Sequence, residues 1–266
     1  MRRLGIVAVA IALSLVTALV SDGSPPASAA TAVAIAAGEH HTCALSTAGV
    51  VYCWGSNAYG QLGDGTNTDS TTPVVVMGLT AGVSALAMGA YHACALVTGG
   101  VKCWGMNLHG QLGDGTTANR AEPVDVSGLT SGVAGVDAGS YHTCAVTTAG
   151  GVKCWGRNDH GQLGDETSGT NRTTPVDVSG LTTGVATIGL GHEHSCAVTT
   201  PGGALKCWGW NGDGQVGDGT TANRLTPVTV SGLASNVAAV GPGGRHTCAV
   251  TTAGGVKCWG DTLIRE

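Results

Sequence analysis

The chain repeats itself every 50 to 52 residues, and this period constrains its fold more than any other feature. Five copies of the string Gly-x-x-His-x-Cys follow one another, and each is followed by a second string, Cys-Trp-Gly. The glycines that open the copies are Gly38, Gly89, Gly139, Gly191 and Gly243. A unit of this length is one supersecondary structure that buries its apolar surface only against neighbouring units, so the copies are expected to stack.

Four of the units continue alike, with Asn-x-x-Gly-Gln-x-Gly-Asp and then a proline that opens a valine-rich run. Each unit therefore predicts four short strands, which in the third unit cover residues 133–136, 143–146, 152–155 and 175–178. The chain shows no helical period, and 45 of its 266 residues are glycine, as expected for many tight turns. The prediction is an all-β propeller of about five four-stranded blades. Its repeats cover 32–82, 83–132, 133–184, 185–236 and, incompletely, 237–266.

The amino terminus has the layout of a secretory signal peptide. Arg2 and Arg3 are followed by an uncharged run over 4–20, a breaker stretch, and the small-x-small pattern of Ala27-Ser28-Ala29. We predict a signal peptide over 1–29 and a secreted, periplasmic or cell-surface protein without stable membrane insertion after cleavage. The alternative is an uncleaved anchor, because 17 apolar residues could just span a bilayer.

Composition excludes several classes of function. Only 11% of the residues are charged and the net charge is −5, so the chain lacks the basic surface that nucleic acid requires. Neither a nucleophile elbow, a phosphate-binding loop nor a His-Glu-x-x-His motif occurs in the sequence. We therefore predict no nucleic-acid partner, no cofactor, no resident metal, no catalytic residue and no enzymatic activity.

The combined string Gly-x-x-His-Thr-Cys-Ala-Val-Thr-x-x-Gly-x-Val-x-Cys-Trp-Gly-x-Asn-x-x-Gly-Gln-Leu-Gly-Asp-Gly-Thr resembles the regulator of chromosome condensation repeat, over residues 32–260. The resemblance implies a propeller, most often of seven blades, that acts mainly in protein binding. Known functions of that family include nucleotide exchange on a small GTPase in the nucleus and inhibition of β-lactamase by a secreted bacterial member. An export signal argues against nuclear exchange for this chain.

The sequence departs from the family pattern in three respects. It contains five units instead of seven, and the paired cysteines are additional to the family string. The fifth unit stops after Cys258-Trp259-Gly260, where Thr262 replaces the asparagine and Arg265-Glu266 replaces Gly-Gln. Three arrangements remain open for the ring: a homo-oligomer that completes it, an open arc, or a truncated gene.

The ten cysteines form five pairs, and each pair brackets a hairpin loop. With a two-residue loop at 98–99, Cys94 lies directly opposite Cys103, at about 4.5 Å between Cα atoms, which is within disulfide reach. An exported chain lies in an oxidising compartment, so five disulfides are expected. The alternative is zinc, because His-x-Cys places two ligand types on one strand face opposite the second cysteine. The predicted bridges are Cys43–Cys53, Cys94–Cys103, Cys144–Cys154, Cys196–Cys207 and Cys248–Cys258.

Residues that vary at equivalent loop positions are the candidates for partner binding, because recognition is usually carried by variable loops on a rigid scaffold. The candidates are Tyr59, Leu108, His109, Asp159, His160, Trp210 and Asp213. The five tryptophans of Cys-Trp-Gly are expected in the core between blades, whereas Trp210 breaks the repeat. The sequence thus predicts an exported protein-binding scaffold, either an inhibitor or an adhesion-type protein. The alternatives are an enzyme or ligand site in the channel, or a structural envelope component.

Overall fold

The computed structural model describes residues 31–261, and the predicted signal peptide lies outside them. The described chain forms five antiparallel sheets in which consecutive strands are neighbours. Each sheet is one blade of a β-propeller, as the repeat predicts. No helix in the described residues is both long and apolar enough to cross a membrane.

The strands follow the repeat. Blade 1 contains β1 (Ala32–Ala37), β2 (His41–Ser46), β3 (Val51–Gly55) and β4 (Ser70–Val75). Blade 2 contains β5 (Val83–Met88), β6 (His92–Val97), β7 (Gly100–Gly105) and β8 (Arg120–Asp125). Blade 3 contains β9 (Val133–Ala138), β10 (His142–Thr147), β11 (Val152–Gly156) and β12 (Arg172–Asp177). Blade 4 contains β13 (Val185–Leu190), β14 (His194–Thr199), β15 (Leu205–Gly209) and β16 (Arg224–Thr229). Blade 5 contains β17 (Val237–Pro242), β18 (His246–Thr251) and β19 (Val256–Gly260).

The fourth strand of each complete blade begins earlier than the sequence predicts. In blade 3 the prediction opened this strand at Pro175, but β12 starts three residues earlier, at Arg172. Pro175 has no N–H to donate, and it is tolerated inside β12 because this strand is the outer edge of its sheet. Val178, which was predicted inside the strand, is buried just after its end.

The two cysteines of each pair lie directly opposite each other on the second and third strands, as predicted. In blade 3 the register pairs Cys144 with Cys154, and the two Cα atoms are 4.1 Å apart. All five bridges form in this way, and no cysteine in the described residues is free. The zinc alternative therefore does not hold, because no thiolate is left to bind a metal.

Consecutive blades are joined by a tryptophan of one blade that enters the core of the blade before it. Trp155 of blade 3 is fully buried, and its Nε1–H donates to the carbonyl oxygen of Gln111 in blade 2, at 2.9 Å. Trp104, Trp208 and Trp259 make the same hydrogen bond to Gln61, Gln162 and Gln215 of their preceding blades. The tryptophans thus supply the apolar core between blades and satisfy a buried carbonyl at the same time.

A second contact between blades starts at the histidine that opens the second strand. His92 Nε2 lies 3.0 Å from Thr143 Oγ1 of blade 3, and that hydroxyl donates to the carbonyl oxygen of Gln111. Because the single hydroxyl proton is used in this way, His92 Nε2 carries the proton and donates. His142 with Ser195 and His194 with Thr247 repeat the arrangement. Burial, together with nearby histidines, lowers the pKa of His92, His142 and His194 to about 3, so they are neutral at pH 7.

The first and last blades each leave one face without a neighbour. Val256 of blade 5 is 65% exposed, whereas Val101 at the equivalent position of blade 2 is 1% exposed. Ile35 of blade 1 is 58% exposed, whereas the equivalent Leu86 packs on the blade before it. Within residues 31–261, packing runs from blade to blade in chain order, and the chain forms an open arc.

The hydrogen bond between histidine and hydroxyl is missing between blades 1 and 2. This position allows the contribution of that hydrogen bond to the free energy of unfolding to be measured. Ala93 of blade 2 stands at the position that holds threonine or serine in blades 3 to 5. It has no hydroxyl, so both ring nitrogens of buried His41 in blade 1 lack a hydrogen-bond partner. We expect Ala93→Ser to supply a partner for His41 and to raise the free energy of unfolding by about 1 kcal/mol. Urea denaturation at pH 7 measures this difference.

The reverse change is the control for that prediction. Ser195→Ala removes the same hydroxyl beside His142 and leaves the Gln162 carbonyl with one donor fewer. We expect it to lower the free energy of unfolding by about 1–2 kcal/mol. A destabilised Ala93→Ser protein together with an unchanged Ser195→Ala protein would contradict this account of the contact.

Candidate functional site

The candidate site is built on the turn that follows each Cys-Trp-Gly string. In blade 1, Asn57 is fully buried and its Nδ2 donates to Asp64, Thr66 and Thr68, while its Oδ1 accepts from the Leu62 N–H. The equivalent Asn107, Asn158 and Asn211 make closely similar sets of bonds. The turn is therefore held from inside, and the Gly-Asp-Gly-Thr segment that follows is a structural loop. No group of three or more potential metal ligands occurs in the described residues.

In each of these turns, the side chain of a buried glutamine accepts a hydrogen bond from the backbone of a residue at the surface. Gln61 is fully buried, and its Oε1 accepts the backbone N–H of Tyr59, at 2.9 Å. Gln111, Gln162 and Gln215 hold the N–H groups of His109, His160 and Asp213 in the same way, at 2.9 to 3.0 Å. Each of these four candidate residues therefore has a fixed backbone, while its side chain is free to differ between blades.

Loops from neighbouring blades bring these side chains together on one face. This aromatic face is defined by the ring-bearing residues and the charged residues that contact them. Its members are Glu39, His40, Tyr59, Tyr91, His109, Tyr141, Arg157, His160, His192, Glu193, Trp210, Asp213 and Arg245. Four of the seven sequence candidates are among the rings, namely Tyr59, His109, His160 and Trp210.

The rings of the first three blades form a continuous series of contacts. Tyr91 lies 5.0 Å from His40, 5.4 Å from Tyr59 and 6.4 Å from Tyr141, measured between ring centroids. Tyr141 in turn contacts His109 edge-on, at 5.5 Å. Contacts at these separations hold the rings in place relative to one another, so the face is a preorganised surface.

Arginine side chains continue the aromatic face toward blades 4 and 5. The guanidinium of Arg157 lies 5.8 Å from the centre of the Tyr141 ring and pairs with Glu193 at 2.8 Å. Arg245 lies 5.4 Å from the centre of the Trp210 ring. Each arginine thus combines a cation–π contact with an ion pair, because Arg245 also approaches Asp213, at 3.9 Å.

The electrostatics of this face follow from partial burial and from these neighbours. Partial burial raises the pKa of Tyr141, and the carboxylate of Glu39 adds to this effect. Partial burial also lowers the pKa of His109, and the positive charge of Arg157 adds to that shift. Tyr141 is therefore a neutral hydroxyl and His109 is mainly a neutral imidazole at pH 7.

The other sequence candidates lie at the margin of the face. Asp159 is exposed and pairs with Arg157, at 2.6 Å. Asp213 pairs with Arg245, as described above, and Leu108 leaves 55% of its surface exposed next to His109. The structure thus brings six of the seven candidates into contact with the rings or their arginines.

Sequence reasoning missed the residue that directly precedes the histidine of each Gly-x-x-His-x-Cys string. This position holds His40, Tyr91, Tyr141, Glu193 and Arg245 in the five blades, and all of them lie on the aromatic face. The same criterion of variation between units would have found them, but it was applied only to the long turn. Arg157 directly follows Cys-Trp-Gly and was also missed, although Trp210 at the same position of blade 4 was among the candidates.

Comparison with known proteins identifies the repeat. The model of the RCC1-like domain matches residues 14–263, which is most of the chain. The chain belongs to the RCC1-like domain family. The matched region begins inside the segment that the sequence predicts to be a signal peptide, so this boundary stays a prediction.

Individual relatives agree with this assignment. This RCC1-like chain is 36% identical over 205 residues to human "Probable E3 ubiquitin-protein ligase HERC4", a match that covers 75% of this chain and 19% of HERC4. It is 34% identical over 231 residues to the Ultraviolet-B receptor UVR8 of Arabidopsis thaliana, which covers 85% of this chain and 52% of UVR8. The chain thus spans between a fifth and about half of the curated relatives that it matches.

Solved structures show the same fold. The crystal structure of Prp20p from Saccharomyces cerevisiae superposes with a TM-score of 0.76 and 25% identity. The match covers 86% of this chain and 58% of Prp20p, which was described together with its binding properties to Gsp1p and histones. Human WBSCR16 matches with a TM-score of 0.74 and 26% identity, over 84% of this chain and 58% of that protein.

An open depression of about 640 Å³ lies at the axis of the RCC1-like arc, among the loops that enter the second strands. Mostly glycine and alanine line it, with Glu39 and His192 3.7 Å apart at its edge. Asp137 lies nearby on β9, where its Oδ2 accepts the Leu190 N–H of blade 4, at 2.8 Å, and its Oδ1 accepts the Ala138 N–H. Burial raises the pKa of this carboxyl group to about 6.

Asp137 is therefore expected to act on stability in a way that depends on pH. Its folded pKa exceeds the ordinary value of 3.8, so its stabilising contribution is complete below pH 3.8 and is lost as the pH rises through 6. Asp137→Ala places at this position the residue that blade 2 has there, Ala87. Between pH 4 and pH 7 we expect the stability of the wild type to fall relative to this variant, by at most about 3 kcal/mol.

Urea denaturation of both proteins at the two pH values measures that difference. Comparison with the variant cancels the effect of the buried histidines, which titrate in both proteins. Asp125→Ala is the control, because Asp125 is exposed and pairs with Lys102 at the rim of blade 2. A stability difference between wild type and Asp137→Ala that is the same at both pH values would show that this carboxyl group does not titrate in the range.

Proposed function

We propose that this RCC1-like chain is an exported protein-binding module and that the aromatic face is its recognition surface. The observation that carries the proposal is the row of ring contacts from His40 through Tyr91 and Tyr141, continued by Arg157 and Trp210. Tyrosine, tryptophan and arginine dominate the binding energy of protein interfaces because they bury large areas and donate hydrogen bonds. The relatives support a protein partner, since Prp20p was described with its binding to Gsp1p and histones.

The arrangement of rigid turns and variable side chains favours binding over catalysis. Aspartate, glutamate and histidine on this face are engaged in pairs with arginine or with rings, and none is aligned with a nucleophile. The axial depression is open and lined mainly by glycine and alanine, which supply few groups for chemistry. An inhibitor or an adhesion protein are the two roles that fit an exported binder, and a structural envelope role is the alternative.

Export is part of this proposal. Five disulfides support an oxidising compartment, because thiols stay reduced in most cytosolic proteins. The predicted signal peptide over 1–29 points to the same location. The matched relatives do not establish it, so export rests on these two features of the chain itself.

Binding through the aromatic face is tested with two substitutions on it and one outside it. The immobilised, oxidised protein is used to capture partners from the envelope and culture fluid of the host. We expect Tyr141→Ala and Trp210→Ala each to weaken capture by about 30-fold, which corresponds to the 2 kcal/mol typical of a central interface residue. Met77→Ala is the control, because Met77 is an exposed apolar residue that follows β4 at the outer edge of blade 1.

Titration of the captured protein against each variant measures these effects. Equal affinity for all three variants would place the interface elsewhere. Failure of the folded wild type to retain any protein would shift the conclusion to the structural role. Circular dichroism of each variant separates a loss of binding from a loss of fold.

Self-association is a separate proposal, favoured by the exposed end faces. Ile35 on blade 1, and Val250 and Val256 on blade 5, occupy positions that pack in the cores between blades elsewhere in the arc. We expect head-to-tail stacking of copies, which Ile35→Lys prevents, when light scattering is measured over a range of protein concentrations. A monomer at every concentration would reject it.

A further inference from the structure

Five side chains close a ring of contacts at the axial depression. They belong to the loops that enter the second strands of blades 1 to 4, and they are Glu39, His40, Tyr91, Tyr141 and His192. The ring centroids of His40, Tyr91, Tyr141 and His192 follow one another at 5.0, 6.4 and 6.2 Å. The Glu39 carboxylate closes the circuit, because it lies 4.0 Å from His40 Nε2 and 3.7 Å from His192 Nε2. We call these five residues the axial cage.

The carboxylate of the axial cage has no hydrogen-bond donor within the described residues. The two histidine nitrogens beside Glu39 are further away than a hydrogen bond allows. Its side chain is about half exposed, at 46%, so only water satisfies it in the free protein. The carboxylate is also close to Tyr141, because it adds to the effect of burial in raising the pKa of that hydroxyl. A ligand that reaches the cage therefore meets an unpaired negative charge beside aromatic rings.

The two tyrosines of the cage can attract a cation. The faces of tyrosine rings carry partial negative charge and attract a positive group within about 6 Å. Tyr141 already does so inside the molecule, since the guanidinium of Arg157 lies 5.8 Å from its ring centre. Asp159 and Glu193 neutralise Arg157, at 2.6 and 2.8 Å, so this arginine does not repel a second cation strongly. Tyr91 stacks on Tyr141 with 24° between the ring planes.

Backbone atoms of the repeat glycines line the depression beside the cage. The carbonyl oxygens of Gly89, Gly139 and Gly191 accept no hydrogen bond within the part of the chain that the structure describes. A methyl group at Gly89 would overlap the His92 ring and lie 2.7 Å from the carbonyl oxygen of Gly139. The close approach of the blades therefore keeps this wall free of side chains. Its carbonyl oxygens remain acceptors for a ligand that brings N–H donors.

The carboxylates at the depression favour a positively charged ligand. Glu39 lines it, whereas neither lysine nor arginine occurs among the described residues of its wall. Asp137 directly precedes Ala138 of the wall, and burial raises the pKa of its carboxyl group to about 6, so it is mostly ionised at pH 7. Two carboxylates thus lie at or beside a wall of carbonyl oxygens. An anion would be repelled there, and a neutral ligand would gain nothing from these charges.

We propose that the axial cage binds the side chain of a lysine that projects from the protein partner into the depression. The ammonium group pairs with Glu39, donates to the glycine carbonyl oxygens, and is attracted by the rings of Tyr91 and Tyr141. The proposal rests on the proposed function, because it names the side chain by which the aromatic face recognises its partner. A lysine at the centre of an interface also fixes how the partner is oriented on that face.

The oxygens of Glu39 favour lysine over arginine. Oε2 approaches His40 and Oε1 approaches His192, so the two oxygens point to different neighbours. Arginine binds a carboxylate best through two parallel hydrogen bonds, which need both oxygens on one side. Lysine carries a compact charge with three N–H donors in different directions, and it can reach one carboxylate oxygen and the backbone carbonyls at once.

The probe for this site is N-acetyl-lysine N-methylamide, which has the lysine side chain and no charged terminus. In an NMR titration of the oxidised protein at pH 7, we expect saturable one-to-one binding with a Kd of about 1 mM and shifts of the Tyr91 and Tyr141 ring signals. The norleucine counterpart lacks the ammonium group and should not bind, and the arginine counterpart should bind about fivefold more weakly. Equal binding of lysine and either counterpart would overturn the proposal.

Substitutions in the cage test the roles of its members. Glu39→Gln should weaken binding of the lysine probe by about fivefold, because it removes the charge and keeps the shape. Tyr91→Leu should have a similar effect, and Tyr91→Phe, which keeps the ring, should recover the loss. Glu122→Gln is the matched control, because Glu122 is an exposed carboxylate on β8 at the outer edge of blade 2. Equal binding by Glu39→Gln and wild type, with both folded by circular dichroism, would reject the cage.

Chemical modification of the captured partner separates this inference from the proposed function. Acetylation removes the lysine charge and should weaken capture by about tenfold, whereas reductive methylation keeps the charge and should not. Glu39→Gln should add no further loss with the acetylated partner. If Tyr141→Ala weakens capture but acetylation and Glu39→Gln do not, the face binds a protein without a lysine and this inference alone is wrong. If the probe binds but the wild type captures no protein, the cage takes a free alkylammonium compound and the assignment to a partner is wrong.

Discussion

The buried glutamine of each Gly-Gln turn is the residue on which the rest of the structure depends. Gln111 uses its side-chain oxygen to hold the backbone of His109 at the surface, and its carbonyl oxygen accepts hydrogen bonds from Trp155 and Thr143 of the next blade. One residue therefore joins the turn, the core between blades and the candidate binding face. Each of these groups is buried, so loss of a partner leaves an unsatisfied polar atom and costs about 1–3 kcal/mol.

This arrangement separates stability from recognition. The groups that hold the turn are the side chain of Asn158, the side chain of Gln162 and backbone atoms. The hydrogen bonds made by Asn158 and Gln162 do not involve the side chain of His160, because only its backbone N–H is bound. The same turn can therefore present tyrosine, histidine or aspartate without a change in its backbone. Recognition can vary between blades at little cost in folding, and the aromatic face follows from that freedom.

The repeat made most of the fold predictable, because a 51-residue period specifies four strands, their turns and the opposition of each cysteine pair. Local reasoning failed where contacts between blades decide the outcome. β12 begins at Arg172, where its backbone pairs with Gly156, and the carbonyl oxygen of the adjacent Thr173 accepts the Gly115 N–H of blade 2, at 2.9 Å. A pattern of valines does not reveal these contacts. Asp137 is alone at its position among alanines and glycines, and its role depends on the Leu190 amide of another blade. Variation between repeats identified the residues of the aromatic face that lie in the long turn. It was not applied to Tyr91 and Tyr141, which directly precede the histidine that every repeat contains.

Because each blade packs mainly against its neighbours, the ends of the arc have different properties from its middle. Trp104, Trp155 and Trp208 are fully buried, whereas Trp54 and Trp259 are only partly buried. In the described residues no blade precedes Trp54, and Trp259 lies on β19, which borders an open groove. In a chain of stacked repeats, the stability of one unit is the sum of its intrinsic stability and the contributions of its interfaces with neighbouring units. A terminal blade with one interface therefore opens more readily than an inner blade with two. Within residues 31–261, blades 1 and 5 each have one such interface, and blade 5 is therefore expected to open more readily than blades 2 to 4. Its disulfide, Cys248–Cys258, joins β18 and β19 directly across the hairpin, so these two strands stay in register even when the blade loosens.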